Sequence, residues 1–361
     1  MRPLSILSRL LVPFAALALF GAGGCGTNKA EGQKRIIILT NGNSPFWDAC
    51  RVGLEEANTK LDLKNAGLVA ELDVNNGTPK GQIDKLRQYA SQDDVVAVGV
   101  SALDAANVAV ADELRGLQKK GVKILTIDSD VDRDQMRDVR FAFVGTDNLA
   151  GGRELGKCAK GVRPDGGEYV TFVGRKAAQN AMERIGGFAE GAGPKFKSAD
   201  SMGDDIDPIK ARENVRNAMT NHPAVKTLVG IWSYNAPAIV DVVEEKNARD
   251  RYTVVVFDAE PLAIEKMGKG MIDAMVVQNP YEMGFQGVRL MKALHENDQK
   301  TIKEMLPNLG QKDGDIYDTG LKVVVPDEGS SLKQEMFQKN TQFLTLGKFK
   351  EWLAEKKLTG S

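Results

Sequence analysis

The chain has 361 residues, room for two domains, with 42% hydrophobic and 27% charged side chains and a net charge of −1, the balance of an ordinary globular protein. That charge offers no basic footprint for nucleic acid, and three cysteines cannot make a disulfide framework. Two histidines, His222 and His295, lie 73 residues apart with no cysteine near either, so a histidine-rich metal site is excluded.

Residues 1–24 read as an export signal. Arg2 and Arg9 give a basic start, and residues 10–20 (LLVPFAALALF) form an apolar run of 11, short of the roughly 20 residues that span a bilayer. The small residues GAGG then lead into Cys25. This run resembles the lipobox of bacterial lipoproteins, with Ala22 where leucine is commoner, and implies cleavage before Cys25 and lipidation of its thiol. Losing Arg2 and Arg9 leaves 46 basic against 49 acidic side chains, a net of −3. Residues 25–34 are polar and contain glycine, a lipid-anchored tether rather than an element.

From residue 35 strand and helix alternate. Short apolar, β-branched runs predict strands at 35–40, 68–74, 95–100, 122–127, 141–145, 169–173, 225–230, 253–257, 274–278 and 322–325. Helical periodicity fills stretches such as 45–60, 79–91, 105–119 and 149–160. Mostly apolar strands of this length are buried on both faces, and regular βαβα alternation means parallel sheets flanked by helices. Ten strands exceed one modest sheet, so the fold class is α/β with two doubly wound parallel-sheet domains. Cys50 and Cys158 fall in helical patterns of separate units and read as buried free thiols.

The chemistry of reaction is missing. The loop after the first strand, NGNSPFW at 41–47, has one glycine where a dinucleotide fingerprint needs three. Neither a phosphate-binding G-x-x-x-x-G-K-[ST] nor a G-x-S-x-G nucleophile elbow occurs. The acidic run from Asp128 to Asp134 begins like a calcium loop, but Arg133 and Val139 stand where glycine and glutamate are needed; it reads as a solvated turn. No catalytic residue, metal or cofactor is expected.

Residues that bind are better represented. VKILTID at 122–128 and YTVVVFD at 252–258 each run a strand into an aspartate, and in open α/β sheets ligands sit beyond the carboxyl ends of strands. Asp128 and Asp258, one per half, would face a common cleft. Helix capping or turn formation is the competing reading of each. Pro45 suits a helix start and would aim Phe46 and Trp47, which can sandwich a sugar ring at the mouth of a cleft. The hydroxyl rim then needs planar partners such as Asp128, Asp258, Gln278 and Arg184.

At these residues the chain resembles the ribose-binding-protein family of periplasmic sugar-binding proteins that serve ABC transporters. The likeness is carried by NSPFW at 43–47, ID at 127–128, GTDNLAGG at 145–152, ERIGGF at 183–188, FD at 257–258 and QNPYEMG at 278–284. It spans roughly residues 35–326. The resemblance implies two domains joined by a three-strand hinge, the type I periplasmic binding protein, closing over a ligand. It divides the chain into a first lobe of 35–146 plus 279–314 and a second of 147–278 plus 315–326. It implies ligand contacts from Asn43, Phe46, Trp47, Ser101, Asp128, Arg184, Tyr234, Asn235, Asp258 and Gln278. Its implied partners are a monosaccharide or sugar-like ligand and an inner-membrane ABC permease, with the chain a monomer.

Three departures alter the pocket. Ser129 stands where ribose binders carry arginine, Ile206 where an aromatic is expected, and Tyr234 where asparagine is usual, displacing Asn235 by one, so ribose itself is put in doubt and a different sugar or sugar-like molecule is implied. An extracellular sensor presenting a sugar to a receptor is the alternative function. A transcriptional regulator of the lac-repressor type would need a DNA-binding helix-turn-helix where the export signal stands. Residues 327–361 lie beyond the likeness and read as a helical extension, with amphipathic stretches at 334–339 and 343–358 that place Phe349, Trp352 and Leu353 on one side.

Overall fold

The computed structural model describes residues 32–361, so the expected export signal, Cys25 and all but the end of the tether lie outside the described residues. In chain order the elements begin β1 (Lys34–Leu39), α1 (Phe46–Lys60), β2 (Leu68–Asp73), α2 (Pro79–Ala90), β3 (Val95–Val100), α3 (Val108–Lys119), β4 (Lys123–Ile127) and β5 (Ala142–Gly145). They continue with α4 (Asn148–Val162), β6 (Gly167–Val173), α5 (Gln179–Ala192), β7 (Phe196–Gly203), α6 (Pro208–Asn221), β8 (Val225–Gly230), α7 (Asn235–Glu245), β9 (Thr253–Phe257), α8 (Pro261–Gly268) and β10 (Ala274–Val277). The last are α9 (Pro280–Glu296), α10 (Gln299–Met305), β11 (Ile316–Asp318), β12 (Lys322–Val325), β13 (Gln342–Thr345) and α11 (Leu346–Glu355).

The strands form two sheets, ordered β11-β5-β4-β3-β1-β2 and β13-β12-β10-β9-β8-β6-β7. Every pairing is parallel except that of β10 with β12. Each sheet is doubly wound, with its first strand inside the order and the reversal beside it. Apolar side chains cover both faces of both sheets, which is why the strands read as continuous apolar runs.

All ten expected strands are present, and three more join them. β7 (FKSADSMG) and β11 (IYD) are edge strands with partly exposed, polar sequences. β13 occupies the start of the stretch expected to be helical from 343. Its residues pair with β12 instead, so the helix begins at Leu346, and 334–339 supplies only a single 3-10 turn, Gln334–Met336. The chain passes between sheets after β5, after β10 and after β11. That last passage corrects the expected boundary at 314/315, because Ile316, Tyr317 and Asp318 pair with Phe143, Val144 and Gly145 on the edge of the first sheet.

Helix starts follow their capping residues. Thr78, Asn107, Asp147, Asp207 and Asn279 each accept a hydrogen bond from a backbone N–H of the turn they open, and proline follows three of them, at Pro79, Pro208 and Pro280. One glycine-lined helix pair marks each lobe. A Cβ at Gly53 or Gly284 would strike the backbone carbonyl of Tyr281 or Cys50, locking α1 to α9. A Cβ at Gly152 or Gly187 would strike that of Arg184 or Leu149, locking α4 to α5. Gly152 of the GTDNLAGG run and Gly187 of the ERIGGF run thus serve close helix packing.

Cys50 and Cys158 are both buried and free, in the cores of different lobes. The expected solvated turn at 128–134 is instead anchored: Asp130 is buried and bidentate with Arg140 (2.7 Å for both bonds) and also meets Arg133 at 2.8 Å. A carboxylate so buried is retained because guanidinium groups replace its water.

Candidate functional site

In the first lobe the site grows from the loop between β1 and α1. Phe46 and Trp47 are the first residues of α1, both buried, with rings edge to face at 5.1 Å. Trp47 Nε1 donates to Asn41 Oδ1 at 3.3 Å, and Asn41 Nδ2 approaches Asp128 Oδ2 at 3.5 Å. Asp128 follows β4 directly and takes a left-handed backbone (φ 66°), which swings its carboxylate over the end of the sheet. Ser101, after β3, donates its hydroxyl to Asp128 Oδ2 at 2.8 Å.

The second lobe answers with α5. Arg184, 1% exposed, donates through Nε to Asn148 Oδ1 at 2.9 Å and through Nη1 to the Ile231 carbonyl at 3.1 Å, while its guanidinium stacks 4.0 Å from the Phe257 ring. One turn earlier, Asn180 accepts from Trp232 Nε1 at 3.1 Å and reaches Asp128 across the cleft at 3.5 Å. Asp258 follows β9 with a φ of 67°, the counterpart of Asp128. Gln278, at the second passage between sheets, donates Nε2 to Asp258 Oδ1 at 2.9 Å.

Charge is held here at low solvation. Arg184 lies 3.9 Å from Asp128 and 3.8 Å from Asp258, near enough to attract and too far to hydrogen-bond. Burial lifts both carboxyls against the pull of that guanidinium, Asp258 to about 7, and burial lowers Arg184 in turn. Two polar atoms in this wall, Arg184 Nη2 and Gln278 Oε1, are buried without a hydrogen-bond partner.

One cavity between the lobes brings most of the expected residues together: Asn43, Phe46, Trp47, Asp128, Arg184, Tyr234, Asp258 and Gln278 line it. Ser101 and Asn235 do not, a correction to their expected ligand contact. Both are fully buried behind the wall, Ser101 on Asp128 and Asn235 on Asp204 (2.9 Å) with its Oδ1 capping the Trp232 N–H (3.0 Å). Tyr234 also donates to Asp204, whose carboxyl burial lifts to about 6. Asn41, Asn180 and Trp232 line the cavity although none was among the expected contacts, and Ile206, expected to replace an aromatic there, lines it as well. Asn41 is the second residue past β1, and Asn180 stands four before Arg184 on one helix face; both spacings were there to be used.

The lobes meet around this cavity. The Ala105 N–H donates to the Ala177 carbonyl at 3.0 Å, Arg133 pairs with Glu183 at 3.0 Å, and Arg175 donates to the Gly77 carbonyl at 3.4 Å. A clamshell closed over a polar, aromatic-walled cavity at the carboxyl ends of two doubly wound sheets is the design of a periplasmic binding protein. The chain belongs to that family: the periplasmic binding protein domain matches residues 36–299. Membership makes it a binding protein rather than an enzyme and implies a home in the periplasm or cell envelope. It is 24% identical over 273 residues to the D-allose-binding periplasmic protein of Escherichia coli (strain K12), covering 73% of this chain and 85% of that one. It is 23% identical over 293 residues to the ribose import binding protein RbsB of the same organism, covering 80% and 89%. Among solved structures it resembles an ABC transporter solute-binding protein of Burkholderia graminis C4D1M in complex with D-arabinose (TM-score 0.70, 23% identity, 82% of this chain and 97% of that chain). It also resembles GanP, a glucose-galactose binding protein of Geobacillus stearothermophilus (TM-score 0.69, 21% identity, 81% and 97%). The fold is shared with both.

Proposed function

We propose that this chain is the substrate-binding component of a sugar ABC transporter, capturing a monosaccharide or sugar-like molecule between its lobes. The observation that carries the reading is the pair of unpartnered buried atoms, Arg184 Nη2 and Gln278 Oε1, one a donor and the other an acceptor, on a cavity walled by Phe46, Trp47 and Trp232. A buried polar atom left unpaired costs about 1–3 kcal/mol, and a hydroxyl both accepts and donates. A pyranose or furanose offers several hydroxyls on a rim and C–H groups on its faces, matching carboxylates and amides around an aromatic wall. Asn43, Asp128, Asp258 and Tyr234 complete the set. Ile206 in place of an aromatic and Ser129 in place of arginine favour a sugar other than ribose.

Relatives named for import favour transport over the sensor reading. In this account the mature chain is a monomer held to the membrane by a lipid on Cys25, and it delivers its sugar to an inner-membrane permease. Isothermal titration of the chain from residue 26 against D-ribose, D-allose, D-arabinose, D-glucose, D-galactose and D-tagatose tests the ligand class. Saturable binding of at least one is expected. Binding of none, together with tight binding of a nucleotide or a peptide, would overturn it.

A further inference from the structure

Asp258 and Gln278 stand just beyond the ends of neighbouring strands β9 and β10, and the last backbone bond between these strands is the Asp258 N–H to the Val276 carbonyl at 2.7 Å. Past that bond, the backbone is tied by residues from much later in the sequence. The Ala259 N–H donates to the Ser361 carbonyl at 2.7 Å, and the Ser361 N–H returns to the Ala259 carbonyl at 3.0 Å. Ser361 also donates its hydroxyl to the Gln278 carbonyl at 2.9 Å and is 2% exposed. One residue therefore ties the backbone following Asp258 to the backbone of Gln278, whose side chains are already joined.

The approach is built, not incidental. α11 packs Leu346, Phe349 and Leu353 onto the core of the second lobe, and Leu358 follows them in. Gly360 then passes so near the site loop that a Cβ there would lie 2.7 Å from the Ala259 oxygen and 3.0 Å from Pro261 Cδ. Only glycine lets the two backbones come this close. Asp258 needs such support, since a left-handed aspartate persists only where its surroundings over-determine it.

We propose that residues 358–361, delivered by α11, are a brace that positions Asp258 and Gln278 for the ligand, with Ser361 the positioning residue and Gly360 the residue that admits it. This rests on the reading of the cleft as the sugar site, and it gives the extension a role in affinity. A binding group held by its second neighbours within a fraction of an ångström loses less on ligand capture than one on a free loop.

The test compares Gly360→Val, Ser361→Ala and a control in the core of the same lobe but outside α11, Val215→Ala on α6. Three measurements are made: sugar affinity by titration, amide hydrogen exchange at 258–260 and 277–279 without sugar, and Tm. Gly360→Val is expected to speed exchange at Ala259 and weaken sugar binding by about tenfold, and Ser361→Ala to weaken it by about threefold, as loss of one or two buried hydrogen bonds requires. Val215→Ala is expected to lower Tm while leaving affinity and local exchange unchanged. Native affinity in Gly360→Val overturns the brace, whether exchange rises or not, and so does an affinity loss that Val215→Ala reproduces. If the native chain binds none of the sugars, the cleft reading fails instead, and the exchange rate at Ala259 alone decides whether Ser361 holds this loop.

Discussion

Asp128 and Asp258, one from each lobe, share a left-handed backbone, φ 66° and 67°, and face a single guanidinium at 3.9 and 3.8 Å. Each closes a strand of its own sheet and turns its carboxylate toward Arg184, so the cleft has one cation between two mirrored anions. Arg184→Ala removes the buried donor that ligand oxygen would meet and leaves both carboxylates without it. Sugar affinity is expected to fall by about 30-fold or more, as expected for a charged hydrogen-bond donor, with circular dichroism unchanged; titration calorimetry measures it.

The lifted carboxyl of Asp258 gives a pH dependence of definite sign. Its proton is held to about pH 7 in the folded chain but leaves near pH 4 when unfolded. The native state therefore binds more protons over that window, and its stability without ligand falls as pH rises from about 4 to 7. Asp204, raised to about 6, acts in the same direction. Melting curves at several pH values should show a steeper decline in the native chain than in Asp258→Asn. A ligand hydroxyl donating to Asp258 favours the ionised form, so sugar affinity should rise over the same window.

Trp47 both walls the cavity and orders Asn41 through its indole N–H, which donates at 3.3 Å. Trp47→Phe keeps a ring and deletes that donor. A loss of affinity of about three- to tenfold is expected, the range of one buried hydrogen bond, with Tm lowered by a few degrees.

Arg133 and Glu183 pair at 3.0 Å across the cleft mouth, and neither lines the cavity. Both are partly exposed, at 20% and 18%, so the pair contributes about 1 kcal/mol or less. Glu183→Gln is expected to weaken sugar binding by about two- to fivefold through faster release, because the closed form alone loses a contact. Stopped-flow fluorescence of the cleft tryptophans would register it as a higher koff at nearly constant kon.

Gly152 faces the Arg184 backbone carbonyl, with no space for a methyl group. Gly152→Ala should push α5 off α4, lower stability by about 1–3 kcal/mol, and weaken sugar binding with it, since α5 carries both Asn180 and Arg184. Denaturant melts and titration on one preparation would show the two effects together.

The repeating layers were legible because burial on both faces writes an apolar run into every inner strand. β7 and β11 were not, since edge strands bury one face or less and their polar sequences look like loops, and β13 (QFLT) was hidden because its residues continue the helical period of the segment that follows. Asp128, Asp258 and Gln278 could be picked out because each directly follows a strand. Asn180 reaches Asp128 only across the closed lobes, a contact between residues 52 apart that no local pattern encodes. Ser101 follows β3 and Asn235 opens α7, and both have the right chemistry, yet they bond Asp128 and Asp204 from behind the wall. Position after a strand selects the layer, while the fold of each loop selects which side chain touches the cavity.

The seclusion of Cys50 and Cys158 opens a practical route. Burial also pushes both thiols up toward the unreactive, protonated form. A version starting after Cys25 would therefore offer a maleimide dye nothing to attack until a new thiol is engineered. Ala177→Cys, exposed and facing Ala105 across the mouth, would carry one fluorophore whose brightness follows the jaws, turning the chain into a reagentless optical sensor for its own cargo.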